Sequence, residues 1–321
     1  MRNDNEIIKY DLIKNKYSWL ISKKQKAIIS PDVDGILCGL FMSKYYDWEI
    51  VGFYDGKKLA IQKDLKPSEC IFLDIEIYRK DIKSCGHHII LYHKDKKPKC
   101  FDEKISSCIN PNIFRQYDAY KNFPQKYPLA MIHFLLCIIS SIDLNTKIEI
   151  SETSITSLLY ADGVFKNLLN YPENCIDWLN YLNAKEKSSP IYSIYILFAK
   201  KRIANIIHDL EKIFLEFKKI TGGRRGGDKI NISDILNGSF ADDSKRKIKE
   251  LLSFLSNSTK WEYNPQKWIL DNLKVLNFSK KINDKLNNKN FLKIIKQNPL
   301  SWAITATKQI EYTLEKPDTI E

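Results

Sequence analysis

Short apolar runs alternate with helical segments over the first hundred residues, and carboxylates follow the first, third and fourth of these runs closely. Residues 26–30 (KAIIS) read as a buried strand, closed by the loop Pro31-Asp32-Val33-Asp34-Gly35. A helix is predicted over about 35–47, with Ile36, Leu37, Leu40 and Phe41 on one face. Residues 49–54 (EIVGFY), 70–73 (CIFL) and 88–92 (HIILY) read as the next three strands, with a crossover helix over 75–83 between the last two. Strands alternating with helices argue for right-handed βαβ units and a mostly parallel sheet flanked by helices, an α/β fold.

Beyond residue 128 the pattern turns helical. Residues 129–141 are apolar nearly all round and read as a buried helix. In 200–220, Ile203, Ile206, Ile207, Leu210, Phe214, Phe217 and Ile220 recur at the helical period, until Gly222 and Gly223 stop it. Residues 246–255 repeat the spacing more briefly. The Pro-Glu-Asn stretch at Pro172 is the expected junction between an α/β domain, 1–172, and a mostly helical domain, 173–321, suited to binding substrate or a partner.

With 51 Lys and Arg against 39 Asp and Glu, the chain carries +12, which suits a polyanionic partner such as nucleic acid. Only seven of the 51 are Arg, so a lysine-rich solvated surface is an equal reading of the same charge. The seven cysteines are odd in number, scattered and without a C-x-x-C pair, and read as reduced thiols. The longest apolar run, 129–139, contains His133 and is too short to span a bilayer. Residues 1–11 have no apolar signal core, so a soluble cytoplasmic protein with no membrane association is expected.

In an open parallel sheet, functional groups gather beyond the carboxyl ends of the strands. Asp32 and Asp34 follow the first strand, Asp74 the third, and Tyr92, His93, Lys94 and Asp95 end the fourth. Carboxylates gathered there repel one another unless a cation binds among them. Three carboxylates and a histidine suggest a divalent-metal site of oxygen and imidazole ligands. Each residue also has a plainer reading: turn formers for Asp32, Asp34 and Asp162, a helix cap for Asp74, a loop histidine for His93, a solvated charge for Lys94.

The segments IISPDVDGILCGL, IFLDIEI and GHHIILYHKDKKP, with INPN further on, resemble the DHH phosphoesterase superfamily. That superfamily includes RecJ-type single-strand exonucleases, oligoribonucleases, cyclic-dinucleotide phosphodiesterases and manganese pyrophosphatases. The resemblance covers roughly residues 26–170. Its Asp-x-Asp-Gly motif is matched by Asp32 and Asp34, its second Asp by Asp74, and its fourth motif by Asp162 in Tyr160-Ala161-Asp162. The Asp-His-His signature is assigned to Tyr92-His93-Lys94, a degenerate form; the literal Gly86-His87-His88 is taken as a decoy at the start of the fourth strand. The resemblance implies Mn2+ or Mg2+ held by Asp34, Asp74, His93 and Asp162. It also implies a second, weakened ion site at Asp32, and phosphate neutralised by Lys94. The loop Gly222-Gly223-Arg224-Arg225-Gly226-Gly227 can grip a phosphate backbone through Arg224 and Arg225, or serve as a linker.

Two functions follow from the resemblance. The first is metal-dependent phosphodiester hydrolysis of single-stranded DNA or RNA, or of a small nucleotide. The second is a catalytically degenerate DHH-fold subunit that binds nucleic acid or a partner protein.

Overall fold

The first strand, β1 (Lys26–Ile29), buries Ala27, Ile28 and Ile29 completely, with no polar alternation. A strand apolar on both faces belongs in the middle of a covered sheet. A computed structural model of the chain, which describes residues 6–200, 203–222 and 229–320, places it there. The further strands are β2 (Glu49–Tyr54), β3 (Lys58–Gln62), β4 (Ile71–Leu73), β5 (Ser84–Cys85), β6 (Cys108–Ile109), β7 (Ile235–Leu236), β8 (Ser239–Phe240), β9 (Leu273–Asn277), β10 (Ser279–Asn283), β11 (Ser301–Ala306) and β12 (Gln309–Leu314). The central sheet runs β6-β5-β4-β1-β2-β3-β9. Its members β6, β5, β4, β1 and β2 are mutually parallel, whereas β3 lies antiparallel to both β2 and β9. Ile28 packs into the apolar layer on one face with Val51, Tyr54 and Phe72. Ala27 and Ile29 face the larger layer built on the helices Val33–Tyr46 and Met131–Ile142.

The mostly parallel α/β expectation holds, with two local corrections that move the site. Residues 75–83 form no helix, and 88–92 form no strand beyond a bridge between Leu91 and Asp118. Only the residues from Asp74 to Lys83 separate β4 from β5, fewer than the dozen or more that a helical crossover takes. The sheet's next member is therefore the two-residue β5, and His87 and His88 come just after its end.

The C-terminal half is helical through Pro172–Tyr181, Tyr192–Lys200, Ile203–Thr221 and Asp242–Thr259, after which strands take over. The mostly helical reading of 173–321 omits these. Of the late strands, β9 completes the central sheet, while β10, β12 and β11 form an antiparallel sheet of their own. The lysine-bearing β10 (SKKIN) has no buried residue, so apolar patterning is silent about it. The junction expected at Pro172 falls in the first turn of the helix Pro172–Tyr181, which buries Cys175, Trp178 and Leu179. All seven cysteines are free thiols, six of them buried. Among the described residues, no helix is long and apolar enough to cross a membrane.

From β1 the chain moves through Val33–Tyr46 to β2 on one side, and β4 lies on the other. The strand order reverses at β1, so a crevice opens beyond the ends of β1 and β4, the usual ligand position in such sheets.

Candidate metal centre

Asp32 and Asp74 lie at that crevice, each just past a strand. Asp32 caps the helix Val33–Tyr46, accepting from the Gly35 N–H at 3.2 Å. Gly35 is helical; a Cβ there would stand 2.3 Å from Ser30 O and Oγ, so close approach of Ser30, not a turn, requires glycine. Ser30 Oγ lies 2.7 Å from Asp32 Oδ1 and 2.5 Å from Asp74 Oδ2. Asp74 itself is 4% exposed, and its other oxygen, Oδ1, is buried without a hydrogen-bond partner.

Facing that oxygen is His87. Its Nδ1 is 3.8 Å from Asp74 Oδ1 and, like it, buried and unpartnered, while its Nε2 is 3.0 Å from Asp162 Oδ2. If Nε2–H donates to Asp162, the neutral ring turns a lone pair on Nδ1 toward a carboxylate oxygen. Two acceptors so aimed need a proton or a cation between them. His88 completes the group: one donor atom from each of Asp74, His87, His88 and Asp162 lies within 4.8 Å of the others. Two carboxylates and two imidazoles are a donor set that would hold a divalent cation. The residues fit a metal ion.

The local backbone is specialised as well. Asp74 and Asp162 both adopt left-handed conformations, with φ of 59° and 50°. Such backbone costs about 1–3 kcal/mol and gathers where geometry serves a site. Asp162 and His88 form the open side, enclosed by protein yet reached by solvent.

Charge crowding leaves its mark on every member. Burial, then the charges of Asp34, Asp32 and Asp162, raise Asp74 well above the carboxylate range. Burial opposes the charged form of His87, yet its bond and attraction to Asp162 carry its pKa upward. Asp162 also resists burial, and His87, with His88 and Lys229, holds it down to about 2. His88 is lowered by burial and by His87 beside it.

The sequence-predicted residues divide. Asp74 and Asp162 are in the cluster. Asp34, 1% exposed, accepts instead from the Met131 and Ile132 N–H groups at 2.6 and 2.9 Å, capping the helix Met131–Ile142. Burial and the charge of Asp162 raise it to about 7. His93 stacks on Tyr120, centroids 4.8 Å apart, and accepts from the Asp95 N–H; neither it nor Lys94 joins the cluster. Lys94 is exposed, and Tyr92 packs its ring against Tyr120 and Phe291. Arg224 and Arg225 lie outside the described residues. The histidine pair set aside as a decoy supplies two of the four donors. Gly86 immediately before it was the available signal that the chain turns there rather than starting a strand.

Around the cluster, a cavity of about 280 Å³ is lined by Asp32, Asp74, Glu76 and His88 on one side and by the β11–β12 sheet on the other. Its carboxylates also include Asp55 and Glu311, against the ammonium groups of Lys229 and Lys280. Lys229 Nζ stands 4.0 Å from Asp32 Oδ2, and Lys280 pairs with Glu311 at 2.9 Å. No protein-family model, curated protein or solved structure matches this chain.

Proposed function

We propose that the chain is a metal-dependent phosphodiester hydrolase acting on single-stranded nucleic acid or short oligonucleotides, with Mn2+ or Mg2+ at the Asp74–His87–His88–Asp162 cluster. The observation that carries this reading is the pair of buried, unpartnered atoms, Asp74 Oδ1 and His87 Nδ1, facing each other at the switch point of the sheet. The DHH resemblance is then read on Gly86-His87-His88, in order with Asp32, Asp34, Asp74 and Asp162.

When bound, the ion lowers the pKa of a coordinated water and offsets charge developing on the phosphoryl oxygens. Asp74, His87, His88 and Asp162 would hold it. Lys229 and Lys280 meet the substrate phosphate from the cleft walls, the role first assigned to Lys94. Asp32 lines the same cleft and would take the proton released by the attacking water. The carboxylate-rich lining repels a phosphate by itself: like charges about 4 Å apart cost about 4 kcal/mol at an effective dielectric of ~20. Cation and anionic substrate therefore bind together.

Calorimetric Mn2+ titration, run beside cleavage assays on labelled single strands and dinucleotides, tests the assignment. His87→Ala and Asp74→Asn are expected to lose Mn2+ binding and any cleavage, and His93→Ala to retain both. Tight Mn2+ binding by His87→Ala removes the site. Asp34 is a poor probe, because its loss uncaps a buried helix.

A second reading, a non-catalytic DHH-fold subunit that binds nucleic acid or a partner, is favoured by Ser30 filling the space between Asp32 and Asp74 where a second cation would sit. Mn2+ binding without cleavage of any substrate selects it.

A further inference from the structure

Gly86 has no room for a side chain. A Cβ there would lie 2.6 Å from Glu76 Oε2 and 2.7 Å from Glu76 Cδ. Its backbone is outside the left-handed region, so crowding alone excludes other residues. The crowding group is a carboxylate only 3% exposed. Glu76 Oε1 accepts from the His88 N–H at 2.5 Å, the Ile89 N–H at 2.7 Å and Asn110 Nδ2 at 2.7 Å. Accepting from N–H groups two and three residues ahead is ordinarily the work of an Asp or Asn heading the turn, which here means position 86. The carboxylate arrives instead from beyond β4, two residues after Asp74. Asn110 and Asn112 fasten the same turn from outside, donating to Ile89 O at 2.9 Å and His87 O at 2.8 Å.

We propose that Glu76 is a positioning residue of the metal centre: it supplies in trans the carboxylate cap that a side chain at 86 would supply in cis, and so fixes His87 and His88 against Asp74. The inference rests on the metal reading above. Partners that orient a metal's ligands are typically worth about 10–100-fold in affinity.

The test is a mutual rescue. Glu76→Ala is expected to weaken Mn2+ binding at least about tenfold and to speed hydrogen exchange at the His88 and Ile89 amides. Glu76→Gln, which keeps an acceptor oxygen in place, stays close to the wild type. Gly86→Asp alone weakens binding, because its side chain meets the Glu76 carboxylate. The double variant Glu76→Ala/Gly86→Asp places a carboxylate in the vacated space and is expected to bind Mn2+ more tightly than either single variant, with both amides protected again. That sign reversal is a coupling no independent pair of sites gives. The proposal is overturned if Glu76→Ala binds like the wild type, or if the double variant is no better than Glu76→Ala, folded or not. If the wild type itself takes up no Mn2+, the metal reading fails, and exchange at the two amides still decides whether Glu76 holds the turn.

Discussion

Ser30 Oγ stands within hydrogen-bond distance of two carboxylates, and one hydroxyl carries one proton. The second contact therefore needs a proton from a carboxyl group. Burial, then the charges of Asp34, Asp32 and Asp162, raise Asp74 and favour its protonated form. Ser30 Oγ thus bridges the two carboxyl groups. This chain of hydrogen bonds does for Asp32 and Asp74 what a bridging cation would do, and it leaves one ion site, on the His87 side of Asp74. Metal analysis after dialysis against Mn2+ is expected to give one ion per wild-type chain and two for Ser30→Asp, which replaces the hydroxyl with a third oxygen ligand. Two ions in the wild type would mean that Ser30 yields its place, and this account of the site would be wrong.

The helix Met131–Ile142 shows how one segment serves both the core and the centre. Its first N–H groups are capped by Asp34, and its third residue, His133, is 1% exposed with neither ring nitrogen hydrogen-bonded. Burial lowers His133 to about 4. A depressed histidine is neutral in the fold at neutral pH and protonates first in the unfolded chain. Its penalty is absent above about pH 6.5, grows as pH falls, and levels off below about 4. Denaturant unfolding across that range is expected to show His133→Leu gaining on the wild type by roughly 3 kcal/mol between pH 6.5 and 4. Parallel profiles for the two proteins would place the acid sensitivity elsewhere. This helix and Val33–Tyr46 were legible because their apolar residues outnumber what an exposed face allows, and β1 and β2 because they are continuous apolar runs. The segment 88–92 misled for the same reason. Ile89, Ile90 and Leu91 are buried as a strand would be, yet their backbone is held by Glu76, Asn110 and a single bridge. Apolar patterning reports burial and not the pairing partner, so the histidines before that run were assigned to the wrong end of it. The helix cap formed by Asp34 and the proximity of Ser30 to Asp74 join residues 97 and 44 apart, which no local pattern records.

Across the whole molecule, the charge of +12 and the carboxylate-lined cleft point in opposite directions. Many basic groups are already neutralised: Arg246 pairs with Asp243 and Glu250, Lys245 with Asp271, Lys267 with Asp47, Arg115 with Asp177. Net charge already counts these pairs and does not say where the excess lies; among the described residues, the lysines lining the cleft are Lys229, over Asp32, and Lys280 on β10. Arg79, in the segment after β4, binds Asn298, Pro299 and Glu315 beside the β10-β12-β11 sheet and so ties the two together. A polymer lying across this surface releases counterions at each phosphate it sets against a lysine, whereas a dinucleotide confined to a cavity of about 280 Å³ makes few such contacts. The salt dependence of binding, measured with Mn2+ present, separates the two substrates. For a single strand, log affinity is expected to fall with log salt by about 0.7 for each phosphate neutralised. Lys229→Ala is expected to reduce that slope by about 0.7 while leaving Mn2+ bound, since the lysine opposes the cation electrostatically and ligates nothing. A steep slope that Lys229→Ala leaves unchanged would put the strand on another face of the protein. A nearly flat slope with retained cleavage would make the substrate a small nucleotide held within the cleft.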